Sequence, residues 1–398
     1  MTTVLLQNIR PWGAESVDLS LEDGLLTGLA PHRPGSPVPT GTEVLDGHGM
    51  LALPGLINSH AHVDKSWWGK PWVPHGGEAT TQGRIAHERA ERSALGIPST
   101  DSTELVMKEF LRHGTTATRT HVDVDLGVGL DGIASVRAAA ERLGGALEVE
   151  IVAFPQDGVL RRPGVLELLD RAAQEGATSI GGLDPAGIDR DPVAQLDGLV
   201  QIAVDRGVGL DIHLHDGNDL GIFQIELLIE RTVQAELQGR VNVSHGFALG
   251  DAQGGRQEEL VAALGEAGIS WTSVAPPGQG PLPWASMREH GVRLGLGTDG
   301  IRDLWSPYGD GDMLRIALGF ARQHGLRYDE DLAAAVHLTT TDSAPFVHRD
   351  QHGLVPGSRA DVVLMEAENV QDALLRTPRR ELVLAGGRVV VEDGELAI

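Results

Sequence analysis

The 398-residue chain can bury a large core, enough for one barrel or for two or three smaller domains. Its 56 acidic residues against 32 basic ones give a net charge of −24, which repels nucleic acid and anionic membrane surfaces and removes both from the expected partners. It has no cysteine, so disulfides and thiolate metal sites are excluded and any metal must rest on His, Asp or Glu.

The first 30 residues lack a basic start followed by an apolar run, and nothing approaches the roughly 18 continuous apolar residues of a spanning helix, so a cytoplasmic soluble protein is expected. Residues 1–50 hold short β-like pieces, Val4–Asn8 and Leu25–Leu29, between Gly, Pro and Asp turns. From residue 51 short β-rich runs alternate with helical periods. The strand candidates are Leu51–Ile57, Thr115–His121, Val149–Phe154, Ser179–Leu183, Gly209–His213, Val241–His245, Ile269–Ser273 and Val292–Thr298. Between them run segments with apolar residues three and four apart, such as Thr103–Arg112, Ile133–Leu143, Val165–Gln174 and Val193–Asp205. Eight strands alternating with helices predict an α/β chain folded as a (β/α)8 TIM-like barrel over residues 51–346. The pieces Asp361–Met365, Leu382–Ala385 and Arg388–Val391 are again β-like, so residues 1–50 and 347–398 together predict a small β-sandwich domain.

A barrel of this kind presents its chemistry at the C-terminal ends of its strands. His60 and His62 follow the first strand, and an i, i+2 pair in extended chain projects to one side. His213 ends the fifth strand, His245 the sixth and Asp299 follows the eighth. With 16 histidines one His-x-His pair is expected by chance, but five such residues at four strand ends of one barrel point to a metal centre. Imidazoles with a carboxylate suit zinc, with ferrous iron as the second choice. His121 and Asp123 end the second strand at the same face, either supporting the site or packing locally, and Lys65 either contacts the substrate or pairs with a carboxylate. Trp67, Trp68 and Trp72 either wall the pocket or pack elsewhere.

These segments resemble the amidohydrolase superfamily. Pro54-Gly55-Leu56-Ile57-Asn58-Ser59-His60-Ala61-His62 is similar to its opening signature. His60-Ala61-His62-Val63-Asp64-Lys65-Ser66, Arg119-Thr120-His121-Val122-Asp123-Val124-Asp125, Val152-Ala153-Phe154-Pro155-Gln156, Gly182-Leu183-Asp184-Pro185-Ala186, Asp211-Ile212-His213-Leu214-His215-Asp216 and Ile301-Arg302-Asp303-Leu304-Trp305 resemble its cytosine deaminase-like branch, in particular members that strip alkylamino groups from hydroxylated triazines. The resemblance implies one divalent ion on His60, His62, His213 and Asp299, with His245 beside the reacting water or substrate. It implies Gln156 hydrogen-bonding the heterocycle, Trp305 packing beside it, and catalysis by Asp299 and His245, with Asp216 or His215 relaying a proton and Lys65 at the substrate. The implied activity is metal-dependent removal of an amino or N-alkylamino group from a small nitrogen heterocycle; a cytosine deaminase or a cyclic amide or urea hydrolase is the alternative. A homo-oligomer is the expected assembly. Two departures stand out. Cytosine deaminases carry Glu where this chain has Asp216, and a second Asp where it has Gly300; both changes remove side-chain volume and polar partners, which favours N-alkylated rings over cytosine. The only lysines are Lys65, Lys70 and Lys108, all before the fourth strand, so the two-metal form bridged by a carbamylated lysine on that strand is excluded.

One motif competes. Gly127-Val128-Gly129-Leu130-Asp131-Gly132 fits G-x-G-x-x-G between a strand and a helix, the mark of an NAD-dependent oxidoreductase. Among 52 glycines such a match is cheap, and the strand before it holds Thr, His and Asp in place of an apolar run.

Overall fold

The protein is described by a computed structural model covering residues 3–398. Eight parallel strands, β1 (Leu56–Ala61), β2 (Thr115–Asp123), β3 (Glu148–Phe154), β4 (Ser179–Leu183), β5 (Gly209–Leu214), β6 (Val241–His245), β7 (Ser270–Ser273) and β8 (Leu294–Leu296), hydrogen-bond in chain order. The ring closes where Ala61 bridges Asp299 in parallel and the Asp299 N–H donates to the His60 carbonyl at 3.0 Å. Periodicity alone left closure open; this bridge supplies it, and it brings the metal-candidate ends of β1 and β8 together.

The helices begin and end for local reasons. The one following β4 runs Pro192–Arg206: Asp191 accepts the Ala194 N–H, proline occupies the first turn, and Gly207 leaves it in the left-handed region at φ +69°. Leu196, Leu199, Ile202 and Ala203 make its buried stripe. Helix Thr81–Glu91, after β1, escapes the apolar-period reading because its stripe holds one buried apolar residue, Ile85, beside a buried acid, Glu88. No described helix is long and apolar enough to cross a membrane.

The run Leu51–Ile57, predicted as one barrel strand, is two. Leu51–Pro54 pairs antiparallel with Val362–Met365 and parallel with Arg10–Pro11, and the barrel strand starts afresh at Leu56. The break falls at Gly55, where a Cβ would stand 2.2 Å from Thr116 Oγ1 and 2.8 Å from Asp361 Cβ. Gly55→Ala should therefore destabilise the junction by about 1–3 kcal/mol in a denaturant melt, as overpacking does; an unchanged midpoint would show that the two layers can part at no cost.

Leu51–Pro54 belongs to a nine-stranded mixed sheet drawn from both ends of the chain. Its order is Glu395–Leu396, Arg388–Glu392, Arg380–Ala385, Val362–Met365, Leu51–Pro54, Thr3–Pro11, Val17–Glu22 and Leu25–Pro31, with Thr42–Asp46 also on Thr3–Pro11. The strand Thr3–Pro11 passes from one half to the other. Leu6, Leu19, Leu21 and Leu26 of the first half share a core with Ala52, Val362, Leu364 and Leu384 of the second, so the halves face each other as a sandwich. Val17–Glu22, Thr42–Asp46 and the short helix Val370–Arg376 are additions to the predicted pieces.

The G-x-G-x-x-G segment is a turn closed on itself. The Gly127 and Val128 N–H groups both donate to Asp125 Oδ1, at 2.6 and 3.1 Å, and Asp125 forms a two-pronged pair with Arg92. The nest that a dinucleotide phosphate would need is filled by the protein's own carboxylate.

Candidate active site

The inward positions of the barrel strands carry polar residues that stack into a support for the cluster above them. Asp211 of β5, fully buried, accepts from Ser244 Oγ at 2.6 Å, Asn242 Nδ2 at 3.0 Å and Arg119 Nη1 at 3.2 Å. Ser244 Oγ lies 3.0 Å from His60 Nδ1. Because the serine proton goes to Asp211, His60 donates through Nδ1, which leaves the Nε2 lone pair pointing into the site. His121 Nε2 lies 3.2 Å from the same carboxylate, while burial lowers this imidazole to about 4. The arginine and histidine around Asp211 outweigh its burial and hold it below its ordinary value.

Four donor atoms converge above this layer. His62 Nε2 and His213 Nε2 face each other at 3.3 Å, His62 Nε2 lies 3.4 Å from Asp299 Oδ1, and His60 Nε2 lies 3.5 Å from the same oxygen. Ligands about 2.0–2.2 Å from a shared tetrahedral centre are separated by roughly 3.3–3.5 Å. His60 Nε2 has no hydrogen-bonding partner among the described residues although it is buried, and two facing imidazole nitrogens are explained by a cation between them. The cluster thus has the donors a divalent ion needs: His60, His62, His121 and His213 lie within 4.8 Å of one another, as do His60, His245 and Asp299. Burial, then Lys65, lowers His62 well below its ordinary value, and burial, then His121, does the same for His213, so both are neutral imidazoles ready to bind a cation. Burial pushes Asp299 up, but His60 and His245 hold it well down, so it stays ionised.

The backbone at this face is strained where it delivers these groups. His245 at φ +69°, Asp299 at φ +62° and Asp184 at φ +33° occupy the left-handed region that non-glycine residues avoid. His245 is pinned through its carbonyl, which accepts the Trp271 indole N–H at 2.8 Å. Its ring centroid lies 4.9 Å from that of His60 and it stacks on His215 at 4.6 Å. His215 Nδ1 is 2.9 Å from Asp184 Oδ2; burial lowers this imidazole, but the Asp184 bond and charge prevail and raise it.

A chamber of about 570 Å³ opens onto the cluster, lined by His62, His213, His215, His245 and Asp299 together with Lys65, Gln156, Phe154 and Trp305. Lys65 Nζ donates to Gln156 Oε1 at 2.6 Å and pairs with Asp123 at 2.8 Å and Glu88 at 3.6 Å. A lysine offers only donors, so Gln156 must give it the carbonyl end and keep its amide nitrogen for the chamber. Trp305 is fixed by its indole N–H on Glu88 Oε2 at 2.5 Å. Burial raises Asp64 and Asp123 to about 7, and Lys65 stays charged well above the working range because Asp123, Glu88 and Asp64 outweigh its own burial.

Most of the predicted site residues meet here, with one exception. Asp216 is off the chamber wall. Strand β5 ends at Leu214, the inward alternation of His213 and His215 stops with it, and the Asp216 carboxylate accepts from Gly187 N–H at 2.8 Å and Gln224 Nε2 at 3.0 Å in a neighbouring cleft. The space expected beside Asp299 is also not empty. A Cβ on Gly300 would fall 1.7 Å from Asp303 Oδ2, so another carboxylate occupies the volume. Trp67 is buried with its indole on the Asp303 carbonyl and Trp72 is two-thirds exposed; neither walls the chamber. Sequence reasoning passed over Glu88, Asp184 as the partner of His215, and Asp211. Only the last two stood in segments that resembled a family, and Glu88 carried no signal.

A closed eight-stranded parallel barrel with this histidine and aspartate cluster at its C-terminal face is the architecture of a metal-dependent hydrolase, and the chain belongs to the amidohydrolase family, whose model matches residues 99–391. The crystal structure of N-isopropylammelide isopropylaminohydrolase from Burkholderia multivorans superposes over 100% of both chains with a TM-score of 0.94 and 38% identity. N-isopropylammelide isopropyl amidohydrolase from Pseudomonas sp. (strain ADP) is 28% identical over 365 residues, 88% of each chain. The 5-methylcytosine deaminase of Klebsiella pneumoniae, at 24% identity, shares the fold with a TM-score of 0.82 over 99% of this chain and 98% of its own.

Proposed function

We propose that the chain hydrolyses an amino or N-alkylamino group from a small nitrogen heterocycle, and that hydroxylated, N-alkylated triazine-like rings are better substrates than cytosine. The carrying observation is the chain of close contacts, 3.3–3.5 Å, that links His213 to His62, and His62 and His60 to Asp299, beside a chamber of about 570 Å³. Those four residues would hold one ion, for which Zn²⁺ suits the donors best and Fe²⁺ second. Such an ion makes water acidic enough to supply hydroxide near neutral pH. Asp299 takes the water's proton, and His245, neutral and stacked above the floor, steadies the charge that develops as the ring carbon becomes tetrahedral. His215, held by Asp184, passes a proton to the departing amine, the task expected of Asp216 or His215. Gln156 donates its amide N–H to a ring oxygen or nitrogen, Lys65 fixes that amide, and Trp305 covers the ring.

The N-alkyl preference rests on the withdrawal of the residue 216 carboxylate from the chamber and on the likeness to the two N-isopropylammelide hydrolases. A panel of aminated and N-alkylated triazines, pyrimidines, purines and cyclic ureas, assayed for released ammonia or alkylamine, tests it. The expected result is a kcat/KM for an N-alkylated hydroxytriazine about tenfold or more above that for cytosine. Cytosine outperforming every N-alkylated ring would overturn the leaving-group reading and leave the metal site standing.

A further inference from the structure

The loop after β8 holds a carboxylate that no step above uses. Asp303 Oδ1 accepts from the Trp305 N–H at 2.8 Å and the Ser306 N–H at 2.7 Å, and the Asp303 N–H donates to the Ser306 carbonyl at 3.0 Å. Its own carbonyl accepts the Trp67 indole N–H at 3.3 Å, and the preceding Arg302 sits in the left-handed region at φ +46°. This turn fixes the carboxyl group and uses one of its oxygens. The other, Oδ2, has no hydrogen-bonding partner among the described residues, although Asp303 is 4% exposed and lines the chamber. It points back at Gly300, next to Asp299, where a Cβ would stand 1.7 Å from it. The oxygen therefore faces the chamber with its lone pairs unmatched by the protein, open to a donor on whatever binds there.

We propose that Asp303 Oδ2 is the acceptor for an N–H of the bound heterocycle and that glycine at position 300 is what lets it reach the ring. The proposal rests on the heterocycle reading above. It assigns the chamber an acceptor, Asp303, in addition to the Gln156 amide donor that Lys65 fixes. A ring carrying both an N–H and an oxygen matches the two, as a hydroxylated triazine in its oxo form does.

Asp303→Asn separates the two jobs of this side chain. The amide oxygen still accepts from the Trp305 and Ser306 N–H groups, while an NH₂ replaces the free oxygen and turns an acceptor into a donor. The probes are a trihydroxylated triazine, the ring left when the amine of a dihydroxylated aminotriazine has gone, and its deaza analogue with a ring N–H replaced by carbon. Their dissociation constants are measured by calorimetry on the metal-loaded protein. The wild type should bind the N–H ring about tenfold to a hundredfold more tightly than the matching deaza ring, as for a hydrogen bond to a charged group. Asp303→Asn should bind the two within about threefold, with metal content unchanged and Tm within about 2 °C of wild type. A variant that keeps the tenfold preference overturns the proposal while the heterocycle reading stands. Loss of more than about 5 °C in Tm, or of metal, would assign Asp303 to the turn alone and overturn it equally. A wild type that binds none of the rings removes the heterocycle reading, and this assignment with it.

Discussion

Replacing His213 with Ala is expected to abolish hydrolysis and metal content together. His213 Nε2 faces His62 Nε2 at 3.3 Å, and deleting one of four donors leaves a site that cannot close around a tetrahedral ion. The wild type should carry one equivalent of metal per chain and His213→Ala almost none, with kcat reduced to background. Elemental analysis giving two equivalents in the active wild type would contradict the single-ion site, and a metal-replete His213→Ala would remove His213 from the ligand set. The fold should survive, because His213 sits at the open end of the barrel and the apolar packing around β5, from Leu210, Ile212 and Leu214, stays intact. An unchanged melting transition recorded in excess chelator for both proteins checks that point.

His245→Ala should behave differently. The ring stands 4.9 Å from His60 and 5.1 Å from His213 between centroids, and none of the 3.3–3.5 Å contacts that link His60, His62, His213 and Asp299 involves it. The variant should keep its metal while kcat falls by about 10² or more, the usual loss when an acid–base or charge-stabilising group is removed. KM should move less than kcat, since the transition state gains more from this imidazole than the bound ring does. Near-normal turnover would sink the assignment.

The barrel was legible because most of its strands are rich in β-branched and apolar residues and are spaced by helical periods. The histidine cluster was legible because strand ends carried histidines in alternation. Failures came where one residue type serves two layers or where the alternation stops. Leu51–Ile57 reads as one apolar run, yet the sterics at Gly55 divide it between two sheets. Asp216 follows the inward-facing His213 and His215 in sequence, but it lies beyond the strand's end and its carboxylate is drawn to Gly187. Gly300 reads as vacated space, and only three-dimensional packing reveals that Asp303 fills it. Glu88 lies on a polar helix whose one buried apolar residue, Ile85, gives no stripe to detect, so its grip on Lys65 and Trp305 could not be read beforehand.

The mixed sheet has a consequence for how the molecule comes off the ribosome. Leu51–Pro54 is made early, but its antiparallel partner Val362–Met365 emerges roughly 300 residues later, after the whole barrel. At about 5–20 residues per second that interval lasts some tens of seconds. During it the early strand carries an open row of N–H and C=O groups and apolar side chains without their cover. A nascent chain stalled before residue 362 would therefore offer a sticky strand edge to its neighbours on the same message, while the ligand-bearing strands β1–β8 are already synthesised. Polysome-level crowding, more than the finished enzyme's stability, is then what would limit yield on overexpression, and slower initiation should raise the soluble fraction.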